Sequence, residues 1–220
     1  MPDFQTLLIW VIPVLFAITL HEAAHGWTAS KFGDHTARMM GRVTLNPIKH
    51  IDPVGTILVP LALLIMSTGF IFGWAKPVPI NFNALRSPKS GMIWVALAGP
   101  GANLVMAIGW LFVAILSINM NMPIMLKMAG AGIFINILLA VFNLLPIPPL
   151  DGSRVISAIL PNPLAYRYNQ LERYGFFILI GLMFIGGFSY IVWPIVGLAL
   201  SSLSILSGLN LISLMNYIFS

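Results

Sequence analysis

Charge and cysteine are what this sequence has least of. Of 220 residues, 8% are charged and none is cysteine. A soluble domain carries about 25% charged residues, so this chain lacks the polar surface to stay in water alone. The missing cysteines exclude a disulfide framework, a thiolate metal site and a thiol nucleophile. A basic leader is missing too: the chain opens Met1-Pro2-Asp3, and its first apolar run leads into charged residues with no small-residue cleavage site. No removable signal peptide is expected.

What is there is hydrophobic residue, 59% of the chain. Several runs approach the roughly 20 residues needed to cross a hydrocarbon core. They are continuously apolar and do not alternate, which predicts an all-α, multi-pass membrane protein and excludes a barrel. The net charge of +5 comes from basic residues confined to short segments between those runs. Such clusters set membrane topology, and no nucleic-acid partner is expected.

The first run begins at Phe4 and continues as a helix toward Ser30. A polar stretch from Lys31 to Asp52 follows, with Lys31, Arg38, Arg42 and Lys49. Within it, Met39 to Leu45 has short strand character, closed by Asn46-Pro47. Val54 to Phe72 is apolar but carries Gly55, Pro60 and Gly69, and both its flanks are basic. The positive-inside bias keeps two basic flanks on one side, so the segment is expected to be re-entrant. Gly91–Ile118 then runs outward and Met128–Leu145 returns. Asp151 emerges on the side where the first helix ended, taken from charge bias as the cytoplasmic side of a bacterial-type cell membrane. Residues 175–220 carry no charge and are long enough for two passes. One membrane domain, 1–220, is expected, with its core in 4–160.

His21-Glu22-Ala23-Ala24-His25 matches H-E-x-x-H in a chain with four histidines and two glutamates. Residues four apart share a helix face, so both imidazoles can reach one ion. Glu22, offset by one residue, can act as general base on a water there. His21 lies 17 residues past Phe4, about 25 Å along a helix, inside a core of about 30 Å. Counted back from Lys31 it is about 15 Å below the surface. Ionisable groups at such depth are costly and usually functional.

A catalytic zinc needs a third protein ligand and an open position. The extension H-E-x-x-H-x-x-G-x-x-H fails, since Thr28 and Lys31 occupy those places. The remaining candidates are Asp34, His35, His50, Asp52, Asp151 and Glu172. Asp151 is the best of them: it follows a proline-rich break, Asn143 to Leu150, that frees backbone groups, and Gly152 permits a sharp bend. His35 reads as an ordinary surface residue. His50 could line a water path, steady the site, or sit on the surface of a turn.

At this point a resemblance appears. H-E-x-x-H near the end of one membrane helix, with Asn143-Leu144-Leu145-Pro146-Ile147-Pro148-Pro149-Leu150-Asp151-Gly152 on a later one, resembles the site-2 protease family of intramembrane zinc metalloproteases. Ala98-Gly99-Pro100-Gly101-Ala102-Asn103 is similar to that family's A-G-P-x-x-N element. Gly41 to Pro47 and Phe72 to Pro79 look like the compact subgroup without a PDZ domain, and no PDZ-sized or CBS-sized segment is present. The resemblance covers roughly residues 15–160. It implies one zinc ion per chain on His21, His25 and Asp151, with Glu22 as base. It also implies a short β-hairpin at Gly41–Pro47 able to pair with an unwound substrate helix. The implied partners are transmembrane protein substrates and the lipid bilayer; the oligomeric state is open. Asn143 is a candidate contact for the substrate carbonyl or oxyanion, or else for the broken backbone. Asn103 and Arg154 are candidates for support around the ligands or the water path. The rival classes are a metal transporter and an inactive scaffold. Glu22 beside one compact cluster counts against the first, and the intact ligand set against the second.

Overall fold

The computed structural model describes residues 4–66 and 73–219. Ten α-helices account for most of them. α1 (Phe4–Lys31) is followed by the single turn α2 (Thr36–Met39), a 3-10 turn (Pro47–His50), and a π-helical turn (Pro53–Leu58) that leads into α3 (Val59–Ile65). A further 3-10 turn (Phe82–Ala84) precedes α4 (Pro88–Asn119) and α5 (Pro123–Asn143). α6 (Asp151–Ile159), α7 (Asn162–Asn169), α8 (Glu172–Phe184), α9 (Gly187–Ser207) and α10 (Leu211–Phe219) complete the chain.

Among the described residues four helices are long and apolar enough to cross a membrane: Gln5–Lys31, Pro88–Asn119, Pro123–Asn143 and Ser189–Ser207. The protein is therefore an integral membrane protein, and the first three spans fall where the apolar runs put them. Residues 175–220 are long enough for two passes, and among the described residues one helix there, Ser189–Ser207, is long and apolar enough to cross. α8 has 13 residues and α10 nine, too short for a core of about 30 Å at 1.5 Å per residue. Gly186 and Gly208, both with positive φ near +70°, bound α9 on either side.

α4 and α5 form an antiparallel hairpin, turned at Asn121 in the left-handed region. α1 packs against both. The apolar core joins Leu111 of α4, Ile133 and Ile137 of α5, Val196 and Leu200 of α9, and Leu211 of α10. Val105, Phe112, Trp94 and Phe16 are exposed on the outside, as side chains facing lipid should be. α5 keeps Gly132 against Trp110, whose ring leaves no room for a Cβ. Such small residues allow close helix approach where lipid supplies no hydrophobic drive.

The β-hairpin expected at Gly41–Pro47 is absent: no strand occurs among the described residues. Gly41 takes φ +63° just after α2, and the Arg42 N–H caps α2 by donating to Ala37 O (2.9 Å). The turn diverts the chain before a ladder can start. Residues 73–80 form neither helix nor strand; Lys76 and Val78 there each precede a proline, which disfavours helical geometry. Of the expected re-entrant segment 54–72, residues 67–72 lie outside the described ones. Near its start, Gly55 O accepts from Trp74 N (3.1 Å) and Thr56 Oγ1 donates to Trp74 O (2.8 Å).

Candidate metal centre

His21 and His25 lie one turn apart on α1, both buried. Asp151 opens α6, whose start reaches α1 because α5 returns the chain to the end of the bundle where α1 finishes. Gly152 is needed there: a Cβ would sit 2.2 Å from Leu144 O. Three atoms converge: His21 Nε2 and His25 Nε2 each lie 3.2 Å from Asp151 Oδ2, and 3.0 Å from one another.

The other ring nitrogens fix what those atoms are. His21 Nδ1 donates to Asn103 Oδ1 (2.6 Å) and His25 Nδ1 to the Val95 carbonyl (2.7 Å). With the proton on Nδ1, each neutral imidazole presents a lone pair at Nε2. Asp151 Oδ2 is buried with no hydrogen-bond donor. Three acceptors facing each other repel unless a cation lies among them. A tetrahedron with zinc–ligand bonds of about 2.0–2.1 Å has edges of about 3.3 Å, close to the observed triangle. The donor set, two imidazoles and a carboxylate, is one zinc accepts. The residues fit the ion.

α4 supplies the setting around the triangle. Asn103, wholly buried, donates from Nδ2 to Ala17 O (3.3 Å) and to Asn136 Oδ1 (2.9 Å), while Asn136 donates to Gly132 O (2.8 Å). This chain fixes the amide so that its oxygen faces His21. Gly99 leaves the room: a Cβ there would lie 2.3 Å from His25 Nε2 and 2.6 Å from His21 Nε2.

Glu22 is half-buried beside the triangle, and its Oε2 accepts the Val78 N–H (2.7 Å). A cleft of about 330 Å³ opens here, lined by His21, Glu22, His25, Val78, Asn143 and Asp151 among others. A larger groove of about 640 Å³ lies at the end of α1 among Trp27, Lys31, His35, Arg38 and Arg86. It contains none of the converging groups, so size does not mark the chemistry.

The other candidates are placed as follows. Asn143 ends α5, lines the cleft, and donates from Nδ2 to Leu139 O (3.0 Å). Arg154 lines the cleft but pairs with Glu172 (2.5 Å), and the Asp151 carboxylate is not among its partners. His50 is buried, not on the surface of its turn. Its Nε2 meets Thr44 O (3.1 Å), its Nδ1 has no partner, and it does not line the cleft. Asp52 caps the π-turn through Val54 N and Gly55 N. Asp34 is buried: burial raises its pKa, but the Thr36 hydroxyl and N–H and the Asn81 N–H outweigh that and hold it below the usual carboxylate range. Sequence reasoning missed Asn136, the Val95 carbonyl and the Val78 N–H. Only the last left a signal, the Pro-Val-Pro run.

Known proteins give this geometry a context. The model of Peptidase family M50 matches residues 119–185, which include Asn143 and Asp151. YwhC of Bacillus subtilis is 40% identical over 192 residues, 84% of either chain. Rip2 of Mycolicibacterium smegmatis is 31% identical over 172 residues, 77% of this chain and 64% of its own. Rip2 of Mycobacterium tuberculosis is 30% identical over 138 residues, 63% of this chain and 52% of its own. All three are named as zinc metalloproteases. No solved structure matches. With relatives of that similarity along most of its length, the chain belongs to peptidase family M50, the site-2 protease family, and is a zinc metalloprotease of the membrane.

Proposed function

We propose that this protease hydrolyses peptide bonds in or near the transmembrane segments of other membrane proteins, with its cleft opening to the cytoplasm of a bacterial-type cell. In this reading one zinc ion per chain sits on His21, His25 and Asp151. When bound, zinc supplies Lewis acidity at the open side of the triangle. Glu22 takes the proton of the attacking water and later returns it to the leaving amine. Val78 holds one Glu22 oxygen, so the carboxylate is oriented before substrate arrives. Asn143, at the cleft wall, faces the scissile carbonyl with the amide hydrogen left over from Leu139.

The observation carrying this reading is the meeting of three lone pairs within 3.2 Å in a cleft that also contains Glu22. Depth supports a substrate within the membrane, because His21 and His25 lie inside the span Gln5–Lys31. Glu22→Gln tests it in proteoliposomes loaded with a membrane-spanning reporter. Zinc content should stay at one per chain, and cleavage should fall by roughly 10²–10⁴-fold, the range for a lost general base. Full proteolysis in that variant would overturn the assignment. Zinc flux across the same liposomes, without cleavage, would favour a transporter.

A further inference from the structure

Residues 73–80 run beside the site outside any helix or strand. Their hydrogen bonds go to loops and side chains. Lys76 N donates to His50 O (2.9 Å), Val78 N to Glu22 Oε2 (2.7 Å), and just beyond it Asn81 N to Asp34 Oδ2 (2.7 Å). Pro77 and Pro79 have no N–H, so Val78 supplies the sole backbone donor between Lys76 and Ile80. That donor goes to the proposed base.

The carbonyls of the same stretch meet a buried cation. Arg42 is 8% exposed, and its Nη2 donates to Lys76 O (2.8 Å) and, more weakly, to Pro77 O (3.4 Å). The Pro77 carbonyl and the Val78 N–H belong to one peptide group. The guanidinium thus holds the Lys76 carbonyl and reaches the Pro77 carbonyl at longer range, while on the hydrogen side of the Pro77–Val78 peptide a carboxylate accepts. Arg42 has no acid within ion-pair range among the described residues, and its Nε is buried without an acceptor. A buried charge left so poorly compensated is costly. A loop that needed only to be stapled could use an uncharged donor.

We propose that Arg42 is a positioning residue for Glu22: it fixes the Pro77–Val78 peptide so that the Val78 N–H holds the Glu22 carboxylate in the cleft. This rests on Glu22 being the base. Gly26, one turn along α1, fits the same design: a Cβ there would meet Val43 at 2.9 Å and Val78 at 3.0 Å. Without one, the segment seats directly against the helix that carries Glu22.

A double-mutant cycle tests it on the full chain in proteoliposomes, with kcat, KM and zinc content measured together. Arg42→Gln should lower kcat by up to about 10²-fold, the cost of a misplaced catalytic group, with KM changed less than about threefold and zinc retained. In the Glu22→Gln background, read by single-turnover cleavage over long incubation, Arg42→Gln should add no further loss. A kcat effect of full size in that background, a loss confined to KM, or unchanged kcat would overturn the proposal. If Arg42→Gln does not retain zinc, Arg42→Lys carries the same comparison, since one ammonium does not reproduce the guanidinium fork. There too, a kcat loss that vanishes beside Glu22→Gln supports the proposal, and a persistent or absent one overturns it. Full activity in Glu22→Gln alone would instead overturn the base assignment, so the two failures read differently.

Discussion

The metal triangle and the support of Glu22 lie side by side but are built in opposite ways. His21 and His25 stand on a long helix, and a second long helix, α4, holds their far nitrogens through Asn103 and the Val95 carbonyl. Glu22 stands on the same helix, yet its partner is an irregular segment tied down by Arg42, His50 and Asp34. Ion binding needs a fixed array, and paired helices supply one. A group proposed to move protons needs orientation beside an open cleft, and a short irregular segment can provide that while leaving space for substrate. Disturbing α4 should therefore damage metal binding, while disturbing the 74–81 segment should damage turnover with the metal in place.

The largest break expected is in the triangle. His21→Ala or Asp151→Ala should reduce zinc below one per chain and abolish cleavage, measured by metal analysis of purified protein; stoichiometric zinc in either variant would exclude that residue as a ligand. Next comes Asn103→Ala, which should weaken zinc by roughly 10–100-fold, the usual cost of losing a ligand's outer partner. Competition with a calibrated chelator reads this, and unchanged affinity would show that the 2.6 Å contact does not tune the metal. Asn136→Ala acts one step further out and should have a smaller effect of the same kind.

The smallest effect lies on the other side of the comparison, at Asp34. Its folded pKa is held below the unfolded value of about 3.9. Such a group stabilises the fold above the unfolded pKa, and this contribution is lost as pH falls through the folded pKa. Asp34→Asn should thus flatten the fall of Tm as pH drops below about 4, with zinc affinity at neutral pH unchanged. An acid limb as steep as in the parent would rule this out.

The same contrast separates what could be read from the sequence from what could not. His21, Glu22 and His25 were legible because helix periodicity converts a spacing of four into a shared face. Asp151 was legible because a carboxylate after prolines at the end of an apolar run calls for a partner. The contact of Asn103 with His21 spans 82 positions and depends on helix packing, which no local pattern encodes. Met39 to Leu45 has apolar and β-branched residues suited to a strand, but Gly41 in the left-handed region and the inward turn of Arg42 remove it. Pro77-Val78-Pro79 is neither helix nor strand: its prolines disfavour helix and lack the N–H that a ladder needs. In 175–220, length left the number of crossings open; Gly186 and Gly208 bound α9, and among the described residues that helix alone has the length there.

The imidazoles of His21 and His25 reach Asn103 and Val95, so positions ascending along α1 meet positions descending along α4. Two helices joined at two such points cannot slip along their common axis by even one turn without breaking both contacts. Those two contacts thus fix the register of α1 against α4, and the proposed metal site inherits that register.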